Sequence, residues 1–122
     1  MIKEILLVGL GGGIGSILRF LISRMSIKWS VGHFPVGTFF VNLLGCFLIG
    51  ILIGLSFKNN LNNNLRDFLI VGFCGGYTTF STFSLENYLL FQEGNYGTLI
   101  VYILTSILLG FSAVWAGLLL TR

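Results

Sequence analysis

Gly72-Phe-Cys-Gly-Gly-Tyr-Thr-Thr-Phe-Ser-Thr-Phe-Ser84 sits in the middle of an apolar stretch covering residues 68–91. A membrane-spanning helix needs about 20 mostly apolar residues. The stretch therefore reads as a span, with its midpoint at Thr79 and Phe80. Five hydroxyl side chains, Thr78, Thr79, Ser81, Thr82 and Ser84, then fall at the bilayer centre, where lipid offers no hydrogen bonds. Gly75-Gly76 followed by Thr78-Thr79 disfavours a continuous helix, because glycine costs backbone entropy and threonine hydroxyls compete for backbone groups. A break near 75–79 is predicted. It would also explain the length, since a continuous helix from Arg66 to Gly94 would run about 43 Å against a hydrocarbon core of about 30 Å. Broken backbone at this depth survives only inside protein or beside a wet cavity. In transporters, carbonyls freed by such breaks bind cations and half-helix N-termini attract anions. One threonine here would read as glue between helices; five hydroxyls in seven residues beside a glycine pair read as a lining.

Working outward, three more stretches have the length of spans: 5–25, 36–57 and 96–120. Only 9% of the 122 residues are charged, 55% are hydrophobic and the mean hydropathy is +0.95, whereas soluble domains carry about a quarter charged residues. The bilayer is the solvent, and residues 1–122 form a single all-α membrane domain with no room for a second. The connections are short. Residues 26–35 hold Lys28, Trp29 and His33, a mix suited to the lipid–water interface. Residues 58–66 hold five asparagines and read as a solvated turn. Lys3 ahead of an apolar run imitates a secretory leader, but Glu4 follows and three more spans come later, so the first stretch is read as a span.

Several classes are excluded. The net charge of +3 has no basic run able to cover a phosphate backbone. Cys46 and Cys74 both lie in apolar segments and read as small core residues, and the lone His33 leaves no metal-ligand set. Gly9-Leu-Gly-Gly-Gly-Ile-Gly15 lacks the register of a nucleotide-binding turn. With no converging acid–base pair, an enzyme is not expected. The glycine pairs 9/13, 11/15, 50/54 and 72/76 are four apart, a spacing that lets helices approach closely in lipid. Orientation is weakly specified. The side of the termini carries Lys3, Lys58, Arg66 and Arg122, against Arg24, Lys28 and, if counted, Arg19. Such a chain is compatible with insertion in both directions and antiparallel self-pairing, or with one orientation.

Other polar residues inside the spans are candidates. Phe80 and Phe83 share one face of a helix after the break, and an aromatic edge is positive enough to meet an anion; simple packing is the alternative. Asn42, with Thr38 a turn away, is a buried amide that suits either an ion or an interhelical clamp. Arg19 lies about one turn from the middle of the first span. A charge there costs roughly 3 kcal/mol, so it needs a wet vestibule or a partner. Glu86 is placed to accept from hydroxyls, and Tyr102 and Ser106 are hydroxyls four apart on the fourth span.

These residues together resemble the Fluc (CrcB) family of small fluoride channels. Gly-Gly-x-x-Gly-x-x-x-Arg at 11–19, Phe-Pro-x-Gly-Thr-x-x-x-Asn-x-x-Gly at 34–45, and Gly-Gly-Tyr-Thr-Thr-Phe-Ser-Thr-Phe at 75–83 carry the resemblance in order over nearly the whole chain. The resemblance implies an antiparallel, dual-topology homodimer in a bacterial inner membrane, with two pores that export toxic fluoride. It implies that Phe80 and Phe83 present ring edges to fluoride, that Asn42 donates to it and that Arg19 sits near a vestibule. Ser81, Thr82 and Glu86 would form a polar relay, Tyr102 and Ser106 a track, and Thr38, one turn from Asn42, would belong to the same fluoride pathway. Carbonyls of Gly75 and Thr78 would hold a structural Na⁺ at the dimer centre. The chain departs from the pattern at Tyr77, at Cys46, and at Gly110, where the track's next hydroxyl is expected.

The chemistry is compatible with that expectation. Stripping water from a small anion without substitutes costs tens of kcal/mol on a Born estimate, and amide, hydroxyl and ring-edge donors replace the shell weakly enough for release. Two alternatives remain. A small proton-coupled exporter would want a carboxylate deep in the first span, where only the terminal Glu4 stands. A non-conducting assembly protein would use the glycine seams but leave the hydroxyl cluster unexplained.

Overall fold

The computed structural model of the protein describes residues 1–29 and 32–121; Arg122, counted above among the charges on the side of the termini, lies outside them. Four helical spans are long and apolar enough to cross a membrane: Ile2–Trp29, Val36–Phe57, Asn63–Gln92 and Tyr96–Leu120. The protein is a multi-pass membrane protein.

The first span starts at Ile2, three residues before the expected boundary, because Lys3 and Glu4 join its first turn. The Glu4 carboxylate there pairs with the terminal ammonium and sits at the positive end of the helix dipole. Past Met25 the span tightens into a 3₁₀ turn, Ser26–Trp29. The asparagine-rich connection is only partly a turn. Asn62 accepts a hydrogen bond from the Leu65 amide at 2.8 Å and so starts a helix at Asn63, which is how asparagine side chains satisfy the free amides of a first turn. Asn59, at φ 57°, carries the reversal.

The third span changes form along its length. It runs as α-helix over Asn63–Arg66, widens into a π-helix over Asp67–Cys74, and returns to α-helix for Gly75–Tyr77. Helix resumes at Phe80 and ends at Gln92. Gly75 and Gly76 are thus helical, and the non-helical residues are Thr78 and Thr79 alone.

Two helix pairs make the bundle, and glycine sets the distance in each. The first span packs against the third. A Cβ at Gly11 would fall on the Phe68 carbonyl, one at Gly15 on the Phe73 carbonyl, and one at Gly76 on the Gly12 carbonyl. The second span packs against the fourth, where a Cβ at Gly50 would strike the Val114 carbonyl and one at Gly117 the Phe47 carbonyl. Glycines 11/15, 72/76 and 50/54 all face neighbours, whereas Gly9 and Gly13 face open space. Only a few large side chains are fully buried, Tyr77, Tyr102, Val41 and Cys74 among them, while rings such as Phe80, Phe91 and Phe111 stay exposed. An apolar exterior of this kind is what lipid, or a second membrane chain, requires of a bundle.

Gly117→Leu should therefore disrupt the second–fourth seam at a cost of about 1–3 kcal/mol or more, read as a lower thermal midpoint in detergent. Gly9→Ala should stay within about 0.5 kcal/mol of the parent. Equal midpoints for the two variants would refute the close-packing account.

Candidate functional site

Thr78 (φ −85°, ψ 161°) and Thr79 (φ −150°, ψ 123°) are extended, with helix on either side. An extended pair at this depth exposes polar backbone that lipid cannot satisfy. Asn42 of the second span answers it. The Thr79 amide donates to Asn42 Oδ1 at 2.8 Å, and Asn42 Nδ2 donates to the Thr79 carbonyl at 3.0 Å. The side-chain amide thus plays the part of a neighbouring strand for one residue. Of the two readings open for Asn42, the clamp is present, and one N–H of the amide remains beyond it.

The same exchange frees other groups. Because Thr79 N turns to Asn42, the Gly75 carbonyl loses its helical donor four residues on. The Thr82 amide donates to Thr79 Oγ1 at 3.2 Å, the N-cap of the second half-helix, rather than to the Thr78 carbonyl. Thr78 Oγ1 is spent within the span, donating to the Cys74 carbonyl at 3.0 Å. Its methyl fills the notch left by Gly45, where a Cβ would collide with it. On the other side, Arg19 Nε and Ser16 Oγ donate to the Gly76 carbonyl at 3.1 and 3.4 Å. Arg19, half-buried, has a partner at the C-terminal end of the first half-helix, where a cation is favoured.

Beyond the break, Phe80 is 79% exposed and lies 6.0 Å from Phe83, ring to ring, at 40°. Phe83 in turn lies 4.9 Å from Tyr102, whose ring packs edge-on against Phe34 at 5.3 Å. Tyr102 is fully buried, and its hydroxyl donates to Glu86 Oε1 at 2.8 Å while Thr38 Oγ1 donates to Oε2 at 2.8 Å. Glu86 accordingly ties the second, third and fourth spans. The hydroxyls it accepts from are Thr38 and Tyr102; Ser81 Oγ instead lies 3.4 Å from Thr79 Oγ1, and Thr82 contributes its backbone amide to the cap.

A cavity of about 520 Å³ opens beside the break, with Asn42, Thr79, Phe80, Phe83 and Ser106 in its wall. Gly75 and Thr78 line it as well. Thr38, Glu86 and Tyr102 stand behind this wall, joined to it through the Phe83–Tyr102 contact. Glu86 also borders a smaller cavity of about 230 Å³ with His33 and Glu93. No cluster of three or more metal-ligating side chains occurs among the described residues. Two contributors were not singled out as site residues from the sequence. Thr79, the hub of the site, carries the signal of an N-cap hydroxyl three residues ahead of the amide it accepts from. Phe34, placed just before Pro35, gives no local sign that it will pack on Tyr102.

Residues 6–118 match the family described as "CrcB-like protein, Camphor Resistance (CrcB)". A protein of Azobacteroides pseudotrichonymphae named fluoride-specific ion channel FluC is 58% identical over 100% of this chain and 98% of its own length. Proteins with the same name from Phocaeicola vulgatus and Flavobacterium psychrophilum are 45% and 44% identical, each over 95% or more of both partners. A match over nearly the full length, on a chain whose break, clamp and cavity stand as described, places this protein in the CrcB family.

Proposed function

We propose that this chain is a passive, fluoride-selective channel that exports toxic fluoride across a bacterial inner membrane, not an enzyme, and that it works as an antiparallel, dual-topology homodimer with two pores. The observation that carries the reading is the clamped, extended Thr78–Thr79 pair opening on a cavity walled by Asn42, Phe80 and Phe83. Fluoride must exchange its water for donors as it crosses. The spare N–H of Asn42, the hydroxyls of Ser81, Thr82 and Ser106, and the ring edges of Phe80 and Phe83 supply partial replacements, none strong enough to trap the ion. Thr38, Glu86 and Tyr102 hold the Phe83 side of this wall in place. Arg19, at the far end of the break, favours anions nearby.

The homodimer is supported by the highly exposed Phe80 at the level of the break, a position that a second copy would cover, and by the weak charge asymmetry of the loops. A structural Na⁺ fits the same arrangement. The Gly75 and Thr78 carbonyls are among those that lose helical donors at the break, and a Cβ at Gly75 would meet nothing within 4 Å, so its face is open. Carbonyl oxygens of unwound backbone are the ligands a hard monovalent cation takes in membrane proteins.

Three measurements test the reading. Liposomes carrying the protein should lose fluoride on addition of a potassium ionophore while retaining chloride; chloride loss at a similar rate, or retained fluoride, would end it. Asn42→Ala removes both bonds to Thr79 and should slow fluoride loss about tenfold or more while raising hydrogen exchange at the Thr79 amide. Parent-like values for both would remove Asn42 from the site. Replacing Na⁺ with N-methylglucamine throughout purification should lower fluoride flux, and an unchanged flux would dismiss the cation.

A further inference from the structure

Tyr102 and Ser106 are four apart on the fourth span, and the next position on that face is Gly110. Gly110 is buried and offers no hydroxyl one turn beyond Ser106, which lines the cavity. The space over it is taken from across the seam: a Cβ at Gly110 would lie 3.5 Å from Cys46 Sγ, with nothing else near. Cys46 follows Asn42 by one turn on the second span, and both lie in the wall of the cavity with Ser106. Ile49, Ile70, Val71 and Ile107 give the same wall an apolar part. Cys74, 2% exposed, brings a second thiol to the same wall. Among the described residues neither thiol has a hydrogen-bond partner.

We infer that Cys46 is a residue of the ion pathway, its S–H donating to the anion at the level where Gly110 leaves the fourth span without a donor. The inference rests on the channel reading above and adds a position to it. A thiol is a weak donor, and the sulfur is large enough to occupy the glycine's notch, so one atom supplies both the volume and the proton. A packing role alone would require only the volume.

The two roles separate in a swap. Cys46→Ala should slow fluoride loss from liposomes about tenfold. Adding Gly110→Ser puts a hydroxyl into the vacated notch from the opposite helix and should recover most of the rate. Adding Gly110→Ala instead refills the notch without a donor and should leave the rate low. Since a Cβ at Gly110 makes only an ordinary van der Waals contact with the sulfur, both double variants should keep the parent's elution volume. A parent-like rate for Cys46→Ala, or the same rate for the two double variants, would overturn the inference. As a second measurement on the unsubstituted protein, a small cationic methanethiosulfonate should modify Cys46, located by mass spectrometry, and stop fluoride loss. Failure to label Cys46, or full flux after labelling, would also overturn it. Unsubstituted liposomes that retain fluoride would instead refute the channel reading itself.

Discussion

Two hydrogen bonds between one asparagine and one threonine backbone hold this structure in its particular form. A helix break at mid-membrane exposes an amide and a carbonyl that lipid cannot satisfy, and each such orphan costs several kcal/mol. Asn42 meets both with a single side chain. The consequences are local and directional. Thr79 becomes extended, its hydroxyl becomes the cap of the next half-helix, and that helix starts at Phe80, whose ring stays exposed. The Gly75 and Thr78 carbonyls lose their usual donors in the same step.

The clamp works only because the helices come close enough. Gly45 leaves the notch in which the Thr78 methyl sits, one turn from Asn42, and Gly11, Gly15, Gly72 and Gly76 let the first and third spans interlock through backbone contact. The break is then fixed from three directions. Arg19 and Ser16 hold the Gly76 carbonyl from the first span, Asn42 holds Thr79 from the second, and Tyr102 holds Glu86 from the fourth. A segment tied to three helices has few alternative conformations, so its polar groups are held in fixed directions.

Much of this was legible because hydropathy and polarity are read one residue at a time. The four spans follow from runs of apolar residues, and the polar block stands out because five hydroxyls in seven residues at a span's midpoint exceed what gluing helices together requires. What escaped depends on pairs. Asn42 offered two readings of equal standing until Thr79 was seen opposite it. Glu86 could be recognised as an acceptor, but that Thr38 and Tyr102 are its donors is a fact about three helices at once. The π-helix over Asp67–Cys74 has no local signal in its composition, and the helical start at Asn63 was hidden because an asparagine run reads as a turn until Asn62 is recognised as a cap.

For the channel reading, the clamp also sets how hard the pathway holds its ion. An amide with both N–H groups free would bind a small anion firmly, and a conducting site must also release what it binds. By spending one N–H and its oxygen on Thr79, Asn42 keeps a single donor for the ion. The rest of the lost hydration must come from many weak partners: ring edges at Phe80 and Phe83, hydroxyls, and, on our inference, a thiol at Cys46. Structural demand thus limits the grip of the strongest neutral donor in the wall. A site that must be rigid to remain broken in lipid is thereby kept shallow enough to conduct.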